Sequence, residues 1–213
     1  MIYDIDIAKQ IAKSLLQINA IILQPKEPFK WAAGWNSPIY CDNRKTLAYP
    51  EIRNHIRQGL SSIIKNHYKG ANVIAGVATA GIPHGALVAE ELGLPFIYVR
   101  AKAKKHGKQN QIEGYFEKGQ SVILIEDLIS SGKSSLEAVA ALRKEEMNVK
   151  GIASIFTYGF EASAKSFKKE NCEYLALCDY NTLLLQAIKS QYINTTDLPI
   201  LEEWKENPAN WGK

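Results

Sequence analysis

The residues best suited to chemistry stand together at 122–135. Val122, Ile123, Leu124 and Ile125 lead into Glu126 and Asp127, and then into Leu128, Ile129, Ser130, Ser131, Gly132, Lys133, Ser134 and Ser135. The apolar run predicts a buried strand, and two charges directly after it are poorly solvated unless they have a use. The small hydroxyl residues and glycine that follow let backbone N–H groups converge on an anion, which the N-terminus of the next helix also favours. Gly132-Lys133-Ser134 suggests a nucleotide P-loop, but that motif needs a glycine five positions earlier, where Asp127 stands. Carboxylates beside a phosphate cradle repel phosphate unless they face sugar hydroxyls or a metal-bound hydroxyl. The combination calls for one ligand carrying both a phosphate and a free ribose diol. The plainer reading, with Glu126 and Asp127 capping a strand and Ser130 capping a helix, leaves the paired charge unused.

Cations gather in a second segment, at Arg100, Lys102, Lys104, Lys105, His106 and Lys108, with Gly107, Gln109, Asn110 and Gln111 around them. This is either a solvated lysine loop or a mobile lid that closes over a diphosphate; a ribose-phosphate site nearby favours the lid. Nucleic-acid binding fits poorly, because no aromatics interleave with these cations and no basic stripe extends them. A third segment, 29–44, mixes Phe29, Trp31, Gly34, Trp35, Ser37, Pro38, Tyr40 and Cys41 with Asp42, Asn43 and Arg44. It reads as a small packed hairpin, or as aromatic faces around a flat base with amides and Ser37 for a carboxylate. A fourth, 76–83, is a turn of small residues after a strand, the form a backbone takes where a ligand comes close, although tight strand-to-helix turns look alike. His55, His67 and His84 lack metal-ligand spacing and are expected to be structural.

The elements that must position these residues follow from periodicity. Apolar steps of three and four predict a helix over 6–24, and Pro50 opens a second helix through about His67. Short strands are expected within 28–42. Strands over 71–78, 95–100, 121–127, 151–159 and 172–180 alternate with helices over 83–92, 133–147 and about 161–170, with a polar loop at 101–113. Two further helices fill the last thirty or so positions. Strands apolar on both faces, alternating with helices, imply an α/β fold with a doubly wound, mostly parallel sheet. Ligands of such sheets bind at the carboxyl ends of the strands, where an N-terminal α/β extension is expected to sit. The organisation expected is one domain over 1–213: a helix and extension at about 1–68, a core at about 70–180 and C-terminal helices at about 181–213.

Composition excludes several classes. The 213 residues are 46% hydrophobic and 23% charged, an ordinary globular balance, and 14 Gly with 8 Pro exclude collagen-like or low-complexity chains. The net charge of +4 is mild, so its distribution matters more than its sum. No apolar run approaches the roughly 18 residues of a membrane-spanning helix. The start, MIYDIDIAKQ, lacks the basic patch of a secretory signal, and 3 cysteines without CxxC spacing indicate neither a disulfide framework nor a zinc site. A soluble, cytoplasmic protein is expected.

The stretch 122–135 closely resembles the phosphoribosyl-pyrophosphate signature of type I phosphoribosyltransferases. The segment from Phe29 to Arg44 resembles the base-binding hood of orotate phosphoribosyltransferases, and Arg100, Lys104 and His106 match that family's catalytic loop. The turn at 76–83 is similar to its pyrophosphate loop. The resemblance implies that Glu126 and Asp127 contact the ribose hydroxyls and that Leu128, Ile129, Ser130, Ser131, Gly132, Lys133 and Ser134 hold the 5′-phosphate. It implies catalytic roles for Lys104, His106 and Asp127, with Arg100, Lys104 and His106 on the pyrophosphate. Orotate contacts are expected from Ser130, Phe29, Gly34 and Tyr40. Mg²⁺ is implied, held by the substrate with Asp127 as the one protein candidate, and so is a homodimer that shares the basic loop between subunits. The implied activity transfers a phosphoribosyl group to orotate. Transfer to another base, or a non-catalytic sensor of the same ligand, are the alternatives; a sensor should carry a DNA-binding helix pair, which the first 24 residues lack. The sequence departs from the family at Ala33, where a Ser is usual, at Ala32, where some members have Lys, and at Ala101, where many have a second Lys. Cys41 is expected to be a buried residue of the family pattern, not a nucleophile.

Overall fold

The computed structural model of the chain describes residues 1–31, 34–101 and 111–212. The first part of the chain forms α1 (Ile5–Gln17), β1 (Ile21–Leu23), β2 (Phe29–Lys30), β3 (Asn36–Ser37), β4 (Ile39–Cys41), a 3₁₀ turn (Asn43–Ala48) and α2 (Pro50–Asn66). Then come β5 (Val73–Val77), α3 (Gly81–Leu92), β6 (Phe96–Val99), β7 (Ile112–Glu113), β8 (Ser121–Ile129) and α4 (Lys133–Lys144). The chain ends with β9 (Asn148–Thr157), α5 (Glu161–Lys169), β10 (Tyr174–Asp179), α6 (Tyr180–Lys189) and α7 (Leu198–Glu206).

The main sheet has the order β10-β9-β8-β5-β6-β7, and every neighbouring pair is parallel except β6 with β7. This is the α/β, mostly parallel architecture that the alternation predicts. Both sheet faces are covered because successive strand residues point to opposite sides. Ile123 and Ile125 join a core with α1, α2 and α6, whereas Val122 and Leu124 join Ala138, Val139 and Leu142 of α4 and Phe167 of α5. Two small antiparallel ladders, β1 with β4 and β2 with β3, make up the N-terminal extension.

Several expected boundaries move. The helix expected over 6–24 ends at Gln17, since Asn19 turns left-handed at φ 52° and Ile21 and Ile22 enter β1 opposite Cys41 and Tyr40. β-branched residues with an antiparallel partner at hand take the strand over a further helical turn. The helix expected over 133–147 stops at Lys144, because Glu146 turns at φ 61° and lets Met147 bury. The loop expected over 101–113 ends in β7, where Ile112 is buried against Val99 on the sheet edge. The start of the chain is also part of the sheet system: Tyr3 N–H donates to Ala176 O at 3.0 Å, and α1 lies against α6 and β10.

Candidate active site

The acid pair sits inside β8 and not at its end. Pairing with β5 stops at Gly76 opposite Ile125, while pairing with β9 continues from Glu126 opposite Ser154 to Ile129 opposite Thr157. Glu126 and Asp127 therefore lie just where one neighbouring strand has left the sheet, which opens a crevice at the carboxyl edge. Glu126 is 4% exposed; Ser135 Oγ donates to its Oε2 at 2.9 Å and the Asp127 N–H to its Oε1 at 3.2 Å. Burial, and then the Asp127 charge, push the Glu126 carboxyl well above its usual range. Burial raises Asp127 as well, against a hydrogen bond from Glu126 and the Arg44 charge, which favour its ionised form. Burial thus disfavours charge on both members of the pair.

The loop that follows is shaped by Gly132. Its φ is 77°, and a Cβ there would lie 2.5 Å from Phe167 Cε2, so both the backbone and the packing require glycine. No side chain caps α4, so apart from the Lys133 N–H, 3.4 Å from Ser131 Oγ, its first-turn N–H groups are available to an anion. Across the crevice, Gly81 starts α3 so close to β8 that a Cβ would fall 2.3 Å from Ile125 O. This close approach brings Ala78 and Thr79, joined by a cis peptide, beside the acid pair. A cavity of about 350 Å³ is lined by Asp42, Arg44, Thr79, Glu126, Asp127 and Ser134, among others. It shares Ala78 and Thr79 with a neighbouring cavity of about 430 Å³ that Arg100 and Ala101 line. Arg100 Nη1 lies 3.3 Å from Glu113 Oε1, and its backbone N–H donates to Gln111 O.

A third cavity, about 610 Å³, lies between Trp31, Trp35, Ser130, Ser131 and Phe160 and the far end of α7, including Lys205 and Asn207. Trp31 is fixed from several sides: its Nε1 donates to Ile39 O at 3.0 Å, and its ring lies 5.5 Å from Tyr158 and 5.6 Å from Trp204. Trp204, fully buried, donates to Asn36 O at 3.2 Å and so ties α7 to β3. Asn43, also fully buried, donates its Nδ2–H to Asp127 O at 2.7 Å and joins the extension to the acid strand. Below it, Thr46 Oγ donates to Asn43 O at 2.6 Å and lies 3.4 Å from His84 Nε2. Burial, and then the Arg53 charge, lower His84 to about 4.

The structure brings Glu126, Asp127, Leu128 and Ser134 together at the first cavity, and Ser130 with Ser131 at the third. Phe29 and Tyr40 pack on each other, with centroids 5.6 Å apart, and Gly34 turns at φ 83° between β2 and β3; among the described residues none of these three lines either cavity. Lys104 and His106, together with Ala32 and Ala33, lie outside the described residues. Cys41 lines the first cavity, with its thiol pushed well up by burial and by Asp127. His67 faces Glu173 at 3.1 Å. Sequence reasoning gave no role to Asn43, Arg44, Phe160 or the end of α7. For Asn43 and Arg44 the signal was their place at the end of the segment that resembles the hood; for Phe160 and α7 there was none.

Residues 45–179 match the phosphoribosyl transferase domain family. The orotate phosphoribosyltransferase of Cytophaga hutchinsonii is 51% identical over 205 residues, covering 96% of this chain and 98% of that protein. Leishmania donovani UMP synthase superposes with a TM-score of 0.77 at 27% identity over 93% of this chain, which spans 42% of that longer protein. The orotate phosphoribosyltransferase of Aeropyrum pernix gives a TM-score of 0.75 at 24% identity, covering 86% of this chain and 99% of its own, and supports the fold alone.

Proposed function

This chain belongs to the orotate phosphoribosyltransferase family, and from that premise we infer how its residues share the reaction. The enzyme transfers the 5-phosphoribosyl group of 5-phosphoribosyl 1-diphosphate (PRPP) to N1 of orotate, giving orotidine 5′-phosphate and diphosphate for pyrimidine synthesis. The observation that carries the division of roles is the crevice itself. A buried carboxyl pair stands one loop away from an uncapped helix N-terminus, as a ligand with a diol and a phosphate requires.

Breaking the bond at C1 builds positive charge on the sugar and negative charge on the departing diphosphate. In this reading Asp127 orients the ribose hydroxyls and favours the cationic ring, while Glu126 braces it. Amides of 130–134 anchor the 5′-phosphate and so place C1 for attack. Arg100, Lys104 and His106 neutralise the leaving diphosphate, the last two from the basic loop. The N1 of orotate attacks as an anion, so no nucleophilic side chain is needed. Ser130, which lines the aromatic cavity, is positioned to meet the base, whereas Phe29, Gly34 and Tyr40, the other residues expected to contact orotate, would have to reach it from hood positions outside that lining.

The donor chemistry fits Mg²⁺: Asp127 gives the crevice a carboxyl oxygen of the kind a hard cation takes alongside phosphate oxygens. When bound, the ion neutralises charge on the diphosphate. The proposal extends to a homodimer whose basic loop reaches the neighbouring site, to a cytoplasmic setting and to one catalytic unit over 1–213. Within that unit the helices of 181–213 brace the hood of 1–68. Among the described residues no helix is long and apolar enough to cross a membrane. Loss of orotate absorbance with PRPP and Mg²⁺, abolished by a chelator and restored by added Mg²⁺, tests this reading; turnover that survives the chelator would remove the metal from it.

A further inference from the structure

We propose that Arg44, beside the acid pair, binds the diphosphate end of PRPP and that Asp42 competes with the ligand for it, an inference that rests on the activity above. Arg44 is the one basic side chain among the described residues lining the acid-pair cavity, where it stands with Ala78, Thr79 and Asp127. An anionic ligand entering beside the Glu126–Asp127 carboxyl pair needs a cation close by. Arg44 is also placed with little freedom at its backbone. Its neighbour Asn43 is fully buried and hydrogen-bonded to Asp127 O at 2.7 Å, so the residue next in chain cannot drift from the crevice.

The side chain itself reaches into solvent. It is 64% exposed, and its Nε is held by Asp42 Oδ1 at 2.6 Å. That contact occupies one edge of a guanidinium that carries five N–H donors in a planar fork, which suits a phosphate oxygen pair. Ala78 and Thr79 form a floor shared by the Arg44 cavity and the Arg100 cavity, so a diphosphate lying over them meets one arginine on each side. The position after Arg100 is Ala101, which supplies no charge, and Arg44 brings a cation from the hood side instead.

Binding of PRPP and of ribose 5-phosphate to the full-length protein, each with Mg²⁺, separates this role from others. Arg44→Gln should weaken PRPP by on the order of tenfold, the scale of one lost charge-assisted contact, and leave ribose 5-phosphate within about twofold. Arg44→Lys should recover part of the loss. Asp42→Asn, which keeps a cap for the 3₁₀ turn but releases Arg44, should tighten PRPP severalfold. Equal weakening of both ligands by Arg44→Gln, or no weakening of PRPP, overturns the proposal, as does weaker PRPP binding by Asp42→Asn. Wild-type turnover of orotate is read alongside: its absence would overturn the assigned reaction, while the contrast between the two ligands would still decide the role of Arg44.

Discussion

Around Glu126 and Asp127 the positioning contacts come mostly from nearby chain: Ser135 holds one carboxylate oxygen, the Asp127 N–H holds the other, and β9 continues the ladder beyond them. Around Trp31 they come from far away, from Tyr158 and Trp204, with Asn36 accepting from the Trp204 ring. At the proposed phosphoribosyl end the acid pair is thus set by one strand, one loop and one helix in sequence order, with Asp42, Arg44 and Thr79 lining the same cavity from elsewhere in the chain. The proposed base end is assembled from the hood, the turn after β9 and the last helix. An end built locally withstands changes elsewhere; an end built from distant pieces depends on the packing of the whole chain.

Trp204→Ala should show the largest effect and should separate the two ends. It removes a fully buried indole and its hydrogen bond to Asn36, and should cost roughly 3–5 kcal/mol in a denaturant titration. In the fraction that remains folded, KM for orotate should rise severalfold while KM for PRPP stays within about twofold. Equal rises in both constants would break the comparison. Asp127→Asn strikes the other end. Turnover should fall by roughly 10²–10³, as for a single preorganised electrostatic group, with both KM values and the melting temperature little changed. Mixed with inactive Lys104→Ala chains, it should recover part of the activity if the loop serves the neighbouring subunit; no recovery after demonstrated subunit exchange would confine the loop to its own site.

The smallest effect concerns the joint between the ends, where His84 lies beneath Thr46 and Asn43. Its folded value, about 4, lies below the usual 6.5, so between these the unfolded chain binds more protons than the folded one. Stability contributed by neutral His84 is therefore lost as pH falls from about 6.5 toward 4. Wild type should lose about 2 kcal/mol more than His84→Gln between pH 7 and pH 5, measured by urea unfolding. Parallel losses in the two proteins would remove His84 from the pH dependence.

How far each end could be read from sequence follows the same division. The 122–135 segment carries its chemistry in contiguous residues, so the strand, the acid pair, the glycine turn and the helix after it were all legible. Only the length of the strand was misjudged, because the pairing of Leu128 and Ile129 with β9 is a tertiary fact. The hood was read as a base site from its residues and their resemblance, but how the rest of the chain braces it was not legible. Nothing in the spacing of Trp31, Trp35 and Tyr40 reveals that Trp31 would be clasped by Tyr158 and Trp204, or that Phe29 and Tyr40 would pack together. Asn43 and Arg44 were named within the hood but given no role of their own, because their contacts depend on Asp127, far away along the chain. The strand at 21–23 was missed for a related reason: its apolar residues satisfy helical spacing as well, and only its partner β4 decides between the two.

The most direct test of the two-ended site is absorbance-monitored consumption of orotate, adenine, hypoxanthine and uracil, each with PRPP and Mg²⁺. The account predicts loss of orotate alone. Consumption of another base would leave the phosphoribosyl end standing and contradict the base end. No consumption of any base, with PRPP measurably bound, would contradict the assigned reaction altogether.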